Sequence, residues 1–327
     1  MADVNVTGKM KPAVTAAKKR HPMLEDFSAT FKAFTRNKLA VVGFSITMVY
    51  FALTILDYVY PAYLGVSNID QVTSWVFPLT ANPPTGPFVI PSTAAATAPH
   101  WWFWFGTSLS RQPILPIMLA ALKTDITFTL EVVLLGMLIG ITVGAIAGYL
   151  GGVVDETLMR ITDIFFSVPS LILAIAFVYV LGYSLNNLLA ALVILWWPTY
   201  ARLTRGVTLT VKSMKFIEAS RASGASKIRI IFRHVIPNVL SPSFVQLSLD
   251  LGTVVLILAG LRFINLPIIS PLIPELGTMI NDGNSVLVGG YWWAVTIPGV
   301  FLLLFTVAVN LMGDGLRDVF DPKLRGL

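Results

Sequence analysis

The chain has 327 residues, of which 55% are hydrophobic and 12% charged, and it contains no cysteine. Because soluble domains carry about 25% charged residues, this composition excludes an ordinary soluble protein and indicates an outer surface that faces lipid. The absence of cysteine excludes disulfides, thiolate catalysis and cysteine-ligated metals. The formal net charge is +6, and the basic residues flank apolar stretches, which favours orientation in a bilayer over nucleic-acid binding.

The N-terminal part of the chain is polar and basic. Residues 1–22 hold Lys, Ala and Thr with little apolar content, so they are predicted to form a disordered cytoplasmic tail. Residues 23–38 place Phe27, Phe31 and Phe34 at helical spacing. This stripe predicts an amphipathic helix on the membrane surface. A frayed extension of the first span is the alternative.

Five stretches are long and apolar enough to cross a bilayer, which requires about 20 mostly apolar helical residues. The first is predicted over residues 39–60. A sixth stretch, Leu188–Ala201, is short, and it reaches Thr210 only by including Arg202 and Arg205. The five qualifying stretches are Leu39–Tyr60, Ile126–Leu150, Ile164–Tyr183, Leu240–Leu261 and Tyr291–Met312.

The distribution of Lys and Arg decides whether the short stretch crosses. With six spans and a cytoplasmic N-terminus, 20 of the 23 basic residues lie inside. Without the short span, the basic block Arg202–Arg233 would move outside and break the positive-inside bias. The sequence therefore predicts an all-α, multi-pass protein of the cell membrane with about six transmembrane helices and with both termini in the cytoplasm.

Residues 61–125 are predicted to form an extracytoplasmic segment rich in proline and tryptophan. Its run from His100 to Phe105 is strongly aromatic, and such residues favour the headgroup interface. Stacking on a substrate such as a sugar is the alternative. Residues 126–312 are predicted to hold a core of five spans, and residues 313–327 a cytoplasmic tail.

The most informative stretch is the predicted cytoplasmic loop over residues 211–237. Ser213 can cap a helix by accepting backbone N–H bonds, and Gly224 suits the left-handed residue that ends one. Together they predict a helix from about Met214 to Ser223. Such a short helix is not stable alone, and a short helix held on a sharp turn suits docking into a groove of another protein.

A second helix in this loop is predicted to be capped by Ser226 and to be interrupted by Pro237. The first helix offers two polar side chains, Glu218 and Arg221. It also offers apolar or small side chains for packing, namely Phe216, Ile217, Ala219 and Ala222.

The loop resembles a motif of the permease subunits of binding-protein-dependent ABC importers. The family pattern is Glu-Ala-Ala, three residues, Gly, nine residues and Ile-x-Leu-Pro. This chain keeps the spacing, with Glu218-Ala219-Ser220, Gly224 and His234-Val235-Ile236-Pro237. The resemblance implies a coupling helix that sits in a cleft of the ATPase. The residues it implies for that contact are Phe216, Ile217, Glu218, Ala219, Ser220, Arg221, Ala222, Gly224, Ile236 and Pro237.

The resemblance covers most of the chain and is closest to the second permease subunit of dipeptide and oligopeptide importers. The chain differs from that group at two external motifs. It reads Ser108-Leu-Ser-Arg111 at the first and Arg262-Phe-Ile-Asn-Leu-Pro267 at the second. The matching segments are 34–43, 105–107, 147–152, 168–171, 197–202, 233–238 and 313–318.

The resemblance implies the type I ABC importer permease fold and a subunit that is not itself an enzyme. Its implied function is to form half of the translocation pathway for di- or oligopeptides, with an oligosaccharide importer as the alternative and a secondary transporter as a distant one. The implied partners are a second homologous permease subunit, two ATPase subunits, an extracytoplasmic substrate-binding protein and membrane lipid, with no nucleic acid. The sequence lacks a Gly-x-x-x-x-Gly-Lys-Ser/Thr loop, so ATP and Mg²⁺ are expected on the ATPase subunits, and no cofactor or metal on this chain.

Polar residues inside a span are rare, because a charge near the bilayer centre costs about 2.5–3.5 kcal/mol. Asp250 lies in the fifth predicted span, with Gln246 one turn before it. A place in the translocation path is one hypothesis for this pair. A structural pair with the partner permease, or a protonated carboxyl, is the other. Pro169 and Pro198 are expected to kink their helices.

Overall fold

The computed structural model describes residues 34–59, 86–87, 104–108, 113–264, 266 and 273–320. The predicted N-terminal tail and most of the predicted surface helix and external segment lie outside these residues. The predicted C-terminal tail is described to residue 320, and up to that residue it is helical. The described part is helical apart from short connections and one isolated bridge between Thr107 and Pro113. The all-α prediction is confirmed.

The first two long helices are α1 (Lys38–Val59) and α2 (Ile114–Leu150). α1 matches the predicted first span closely. α2 starts at Ile114 rather than Ile126, so the prediction placed its start too late. The early turns follow Pro113 and include the buried residues Met118 and Leu122. The polar residues Lys123, Thr124 and Asp125 separate these turns from the apolar stretch that begins at Ile126.

The predicted third span, Ile164–Tyr183, is not one helix. It consists of the end of α3 (Gly152–Phe166) and the whole of α4 (Ser170–Leu181), which meet at 90°. The cause is Pro169, because a proline disfavours helical backbone at the residue before it. The expected kink is therefore a full break, and α4 alone spans only about 18 Å.

The short predicted stretch Leu188–Ala201 belongs to a long helix, α5 (Leu185–Lys212, 28 residues). Ser184 caps this helix by accepting the Asn187 N–H at 3.1 Å. The helix passes through Arg202 and Arg205 without interruption. At about 42 Å it is long enough to cross a bilayer.

A stripe of glycines on α2 holds α5 in close contact. Gly136, Gly140, Gly144 and Gly148 lie one turn apart and face, in turn, Trp196, Tyr200, Thr204 and Thr208. A Cβ atom at Gly140 or Gly144 would overlap the α5 backbone. Small residues at this spacing let membrane helices approach closely. Residue numbers increase in the same direction along both helices at these contacts, so α5 runs parallel to α2.

The remaining helices are α6 (Lys215–Ala222), α7 (Lys227–Ile230), α8 (Ile236–Phe263), α9 (Leu276–Val286) and α10 (Trp293–Phe320). A π-helical turn, Ile231–Val235, joins α7 to α8 without a break. α9 is a short helix that the sequence patterns did not predict.

α10 packs antiparallel to both α1 and α8. Tyr50 of α1 donates a hydrogen bond to the Phe301 carbonyl at 2.7 Å, and Gly315, further along α10, lies against Ala40. Gly252 of α8 likewise contacts Thr306, while Gly313 contacts Leu249. The start of α1 and the end of α10 therefore lie on the same side of the molecule, where Asn37 donates to Asp318 at 3.2 Å.

Four helices of the described part are long and apolar enough to span a membrane, namely α1, α2, the continuous α7–α8 helix and α10. The bent pair α3 and α4 supplies a fifth candidate. α5 is less apolar, but its parallel packing on α2 over three turns of helix supports a sixth crossing.

The glycine stripe generates a stability prediction. Gly144→Leu should lower the unfolding temperature of the detergent-purified protein, because the new side chain would force the α5 backbone away and overpacking costs about 1–3 kcal/mol. Gly206→Leu on α5 is the matched control, since a Cβ atom there meets nothing within 4 Å. Fluorescence-detected size-exclusion chromatography after heating measures both variants. Equal unfolding temperatures would contradict the close packing.

Candidate functional site

The loop between α5 and α8 contains the predicted short helix, which is α6. It covers Lys215–Ala222, slightly shorter than expected. Ser213 does not cap it: its hydroxyl donates to the Thr210 carbonyl at 2.8 Å, and the residue ends α5. Met214 occupies the N-cap position without a side-chain hydrogen bond. The prediction for Ser213 was therefore wrong, because the residue is used by the preceding helix.

The C-terminal end of α6 is closed as predicted by Gly224, whose φ is +78°. The Gly224 N–H bonds to the Arg221 carbonyl at 3.0 Å, and the Ala225 N–H bonds to the Ser220 carbonyl at 3.1 Å. These two bonds form a Schellman motif, which fixes the direction in which the chain leaves the helix. The predicted cap of the next helix is also confirmed, since the Ser226 hydroxyl accepts the Arg229 N–H at 3.3 Å.

One face of α6 is anchored to the membrane body of the chain. Ile217 is fully buried and belongs to the main hydrophobic core. One turn later, Arg221 Nε donates to the Tyr149 hydroxyl at 3.3 Å, and its guanidinium carbon lies 5.3 Å from the centre of that ring. Tyr149 lies near the end of α2. Ile217 thus holds α6 against its own chain and offers no surface to a partner.

The opposite face of α6 is open. Phe216 is 43% exposed, and Glu218, Ala219 and Ala222 are exposed beside it. These four residues are called the outer face of α6. The Phe216 ring also lies 6.0 Å from the His234 ring, which links the outer face to the π-helical turn. Among the other predicted contact residues, Ser220 is half-buried and Gly224 is exposed.

The predicted interruption at Pro237 is absent. Ile236 and Pro237 form the first residues of α8, and the helix continues backwards through the π-helical turn to Lys227. Proline has no N–H and its ring clashes with the carbonyl four residues before it. The wider π-helical turn just before Pro237 accommodates that ring, which is why the helix continues.

Gln246 and Asp250 pack inside the chain. Gln246 Nε2 donates to Asp250 Oδ1 at 3.0 Å, and Asp250 is only 6% exposed. The Tyr200 hydroxyl and the Trp196 indole N–H of α5 face the same carboxyl, although neither closes to a full hydrogen bond. The pair therefore lies between α8 and α5 within this chain, and its place in the translocation path stays a prediction.

Two ion pairs between α3 and α5 were missed by the sequence analysis. Arg205 donates through Nε and Nη2 to the two oxygens of Asp155 at 2.8 and 2.7 Å. Arg202 pairs with Asp163 two turns further along α3. The acids stand eight residues apart, so they share one face of α3. These pairs explain how a membrane helix tolerates two arginines.

A second missed cluster lies at the other end of the molecule. Arg262 of α8 and Glu275 at the start of α9 are both buried, with Arg262 Nε 3.8 Å from Glu275 Oε2. Glu275 caps α9 by accepting the Gly277 and Thr278 N–H groups at 2.9 and 2.8 Å. Burial raises the pKa of the Glu275 carboxyl, while these bonds and Arg262 act in the opposite direction. Asp125 of α2 accepts the neighbouring Leu276 N–H at 3.2 Å.

With this geometry in view, comparisons with known proteins identify the family. Residues 140–326 match the model of the binding-protein-dependent transport system inner membrane component. This match includes α5, the whole α6 loop and α8. The chain belongs to this family. The resemblance seen in the sequence is thereby confirmed, and the chain is a multi-pass membrane component of a binding-protein-dependent ABC importer.

Individual relatives agree with the family match. A dipeptide transport system permease protein DppC of Alkalihalophilus pseudofirmus is 33% identical over 98% of this chain and 99% of its own length. A probable D,D-dipeptide transport system permease protein DdpC of Escherichia coli K12 is 38% identical over 73% of this chain and 80% of its own. The oligopeptide permease protein OppC of Bacillus subtilis is 32% identical over 89% of this chain and 88% of its own.

A solved structure supports the type I importer fold. The MetNI methionine ABC transporter, crystallised in inward-facing conformations, aligns with a TM-score of 0.51 and 22% identity. The alignment covers 64% of this chain and 99% of the MetNI chain. A member of this family works with an ATPase and a substrate-binding protein.

The turn at Gly224 generates a prediction with a built-in control. A Cβ atom there meets nothing within 4 Å, so a substitution costs only the strain of left-handed backbone, about 1–2 kcal/mol. Gly224→Val should lower uptake and the yield of co-purified ATPase, because valine tolerates this backbone poorly. Gly224→Asn should retain most of both, because asparagine is accepted at this position. A Val variant with unchanged transport would show that the turn carries no function.

Proposed function

We propose that this chain forms half of the translocation pathway of an ATP-driven importer, and that the outer face of α6 docks into a cleft of an ATPase subunit. The observation that supports this most is the combination of a buried anchor, Ile217, with four exposed residues on the opposite side of the same short helix. A helix of eight residues has little stability of its own. A fixed, exposed helix of this kind suits recognition by a groove.

The proposed contact uses the outer face directly. Phe216 and the small residues Ala219 and Ala222 supply apolar surface, and Glu218 supplies a charge that a basic group of the ATPase can meet. Ile217, Ser220, Arg221, Gly224, Ile236 and Pro237 fix the position and direction of α6 rather than touching the partner.

The proposed assembly contains a second homologous permease subunit, two ATPase subunits and an extracytoplasmic substrate-binding protein. ATP and Mg²⁺ bind to the ATPase subunits, and this chain requires no cofactor or metal. Both termini are cytoplasmic: the packing of α1 against α10 supports a common side, and the positive-inside rule supports the cytoplasm. This orientation places α6 where it can meet the ATPase.

The proposed cargo is a di- or oligopeptide. Dipeptide and oligopeptide permeases among the relatives support this class, and a glutathione permease protein GsiD of Pectobacterium atrosepticum is 37% identical over 68% of this chain. A nickel permease protein NikC of Escherichia coli K12 is also similar, at 33% identity over 74% of this chain. The cargo is therefore the part of the proposal that most needs a direct test.

A photocrosslinking experiment tests the docking face. The chain has no native cysteine, so Ala219→Cys can carry a single benzophenone label on the outer face of α6. We expect a crosslink to the ATPase from this position. Ile217→Cys, buried in the same helix, and Ser285→Cys, exposed on α9 at the far end, are the controls. Crosslinks from Ser285 but not from Ala219 would place the ATPase contact at α9 and contradict the proposal.

Reconstitution tests function and cargo separately. The complete importer is placed in liposomes, and ATP hydrolysis is measured with its binding protein empty, loaded with short peptides or loaded with oligosaccharides. Stimulation by the peptide-loaded protein is the expected result. Stimulation only by oligosaccharides would keep the importer role and replace the cargo, whereas hydrolysis that ignores every loaded form would argue against coupling itself.

A further inference from the structure

A basic pocket lies where α6 meets the ends of α2 and α5. Its volume is about 350 Å³. Three of its side chains are cationic and none is acidic. The lining residues are Tyr149, Leu150, Lys212, Arg221, Ala225 and Lys227.

Two of the cations gather around one buried aromatic ring. Lys212 Nζ lies 5.8 Å from the centre of the Tyr149 ring, and the Arg221 guanidinium carbon lies 5.3 Å from it. Among the described residues, the Tyr149 hydroxyl is bonded to Arg221 Nε alone. Within the described part of the chain, the two terminal nitrogens of Arg221 make no hydrogen bond. They form the fork with which arginine binds phosphate and carboxylate.

No acid of the described residues neutralises this cluster. None of Lys212, Arg221 and Lys227 is in an ion pair within that part of the chain. Asp155 does interact with Lys212, but both of its carboxylate oxygens are already bound by Arg205. The pocket therefore holds like charges that repel one another until an anion enters.

The pocket lies at one end of two packed helices, the end that faces the cytoplasm in the proposed orientation. Leu150 is the last residue of α2 and Lys212 the last of α5. Basic pockets between membrane helices on the cytoplasmic side accommodate the head groups of acidic lipids. The volume is large enough for a phosphate group with part of its substituent, and the small side chain of Ala225 leaves room beside it.

We propose that this pocket binds a phosphate-bearing anion, supplied by the head group of an acidic phospholipid or by free phosphate. Arg221 holds the phosphate through its free fork, and Lys212 and Lys227 contribute as point charges. Because these three side chains belong to α6, α5 and the start of α7, a bound phosphate ties the short helix to the ends of its neighbours. The occupied pocket strengthens the attachment of α6 independently of which cargo the importer carries.

Binding is tested on the whole importer complex in phosphatidylcholine nanodiscs, titrated with phosphatidylglycerol and read by native mass spectrometry. Lys212→Gln/Lys227→Gln should weaken the apparent affinity for phosphatidylglycerol about thirtyfold, and Lys227→Gln alone about fivefold. Lys212→Arg/Lys227→Arg should retain it. The matched control is Lys215→Gln/Arg229→Gln, which removes the same charge from the same loop outside the pocket.

A parallel titration with inorganic phosphate separates the two sources. Loss of phosphatidylglycerol binding confined to the pocket variant assigns a lipid head group, and loss of phosphate binding confined to it assigns the free anion. If the pocket variant and the control variant bind both probes equally, the cluster is only a general positive surface and the proposal is overturned. The single Lys227→Gln variant decides the question should the double variant fail to assemble.

Discussion

The close contact between α2 and α5 is the constraint on which the rest of the molecule depends. Four glycines spaced one turn apart leave no α2 side chain at the contact, so α5 packs on the α2 backbone and the register of the two helices has almost no freedom. That register places Gly148 against Thr208, and with it the end of α2 beside the end of α5. Tyr149 then stands where Arg221 of α6 reaches it. The position of the proposed docking helix is thus set inside the membrane.

The same contact determines which groups pair with the charged side chains of α5. Holding α5 against α2 turns Arg202 and Arg205 outwards to α3, where Asp163 and Asp155 meet them. On another face of α5, Tyr200 and Trp196 are directed towards Asp250 of α8. These charged side chains of α3, α5 and α8 therefore face polar groups from neighbouring helices, which lowers the cost of placing them near lipid.

Hydropathy and charge together could predict the main spans, because lipid imposes a simple length and composition on each helix. The stretch after Leu188 was recovered only through the positive-inside rule, since its composition alone is too polar. The 90° break at Pro169 is larger than the expected kink, because a proline in the sequence does not determine the angle between the helices on its two sides. α9 has a mixed sequence. Its start is held by the ion pair of its cap Glu275 with Arg262 and by Asp125, a residue of distant α2 that accepts the Leu276 N–H.

In the α6 loop the sequence was informative for glycine and misleading for serine and proline. Gly224 stands at a left-handed position that few other residues tolerate, so its role follows from its identity. Ser213 can serve either the helix before it or the helix after it, and only the packed structure decides between them. Pro237 signals a local disturbance, and the π-helical turn absorbs that disturbance without ending the helix.

The attachment of α6 explains how a displacement at this helix can reach the far side of the membrane. Ile217 and Arg221 tie it to the core and to α2, and the Schellman turn leads within a few residues into the continuous α7–α8 helix. The distant ends of α2 and α8 meet again, because Asp125 and Arg262 both converge on the start of α9. A displacement of α6 therefore acts on two long helices that are also connected at their far ends through the start of α9. This is the mechanical property that the proposed coupling to an ATPase requires.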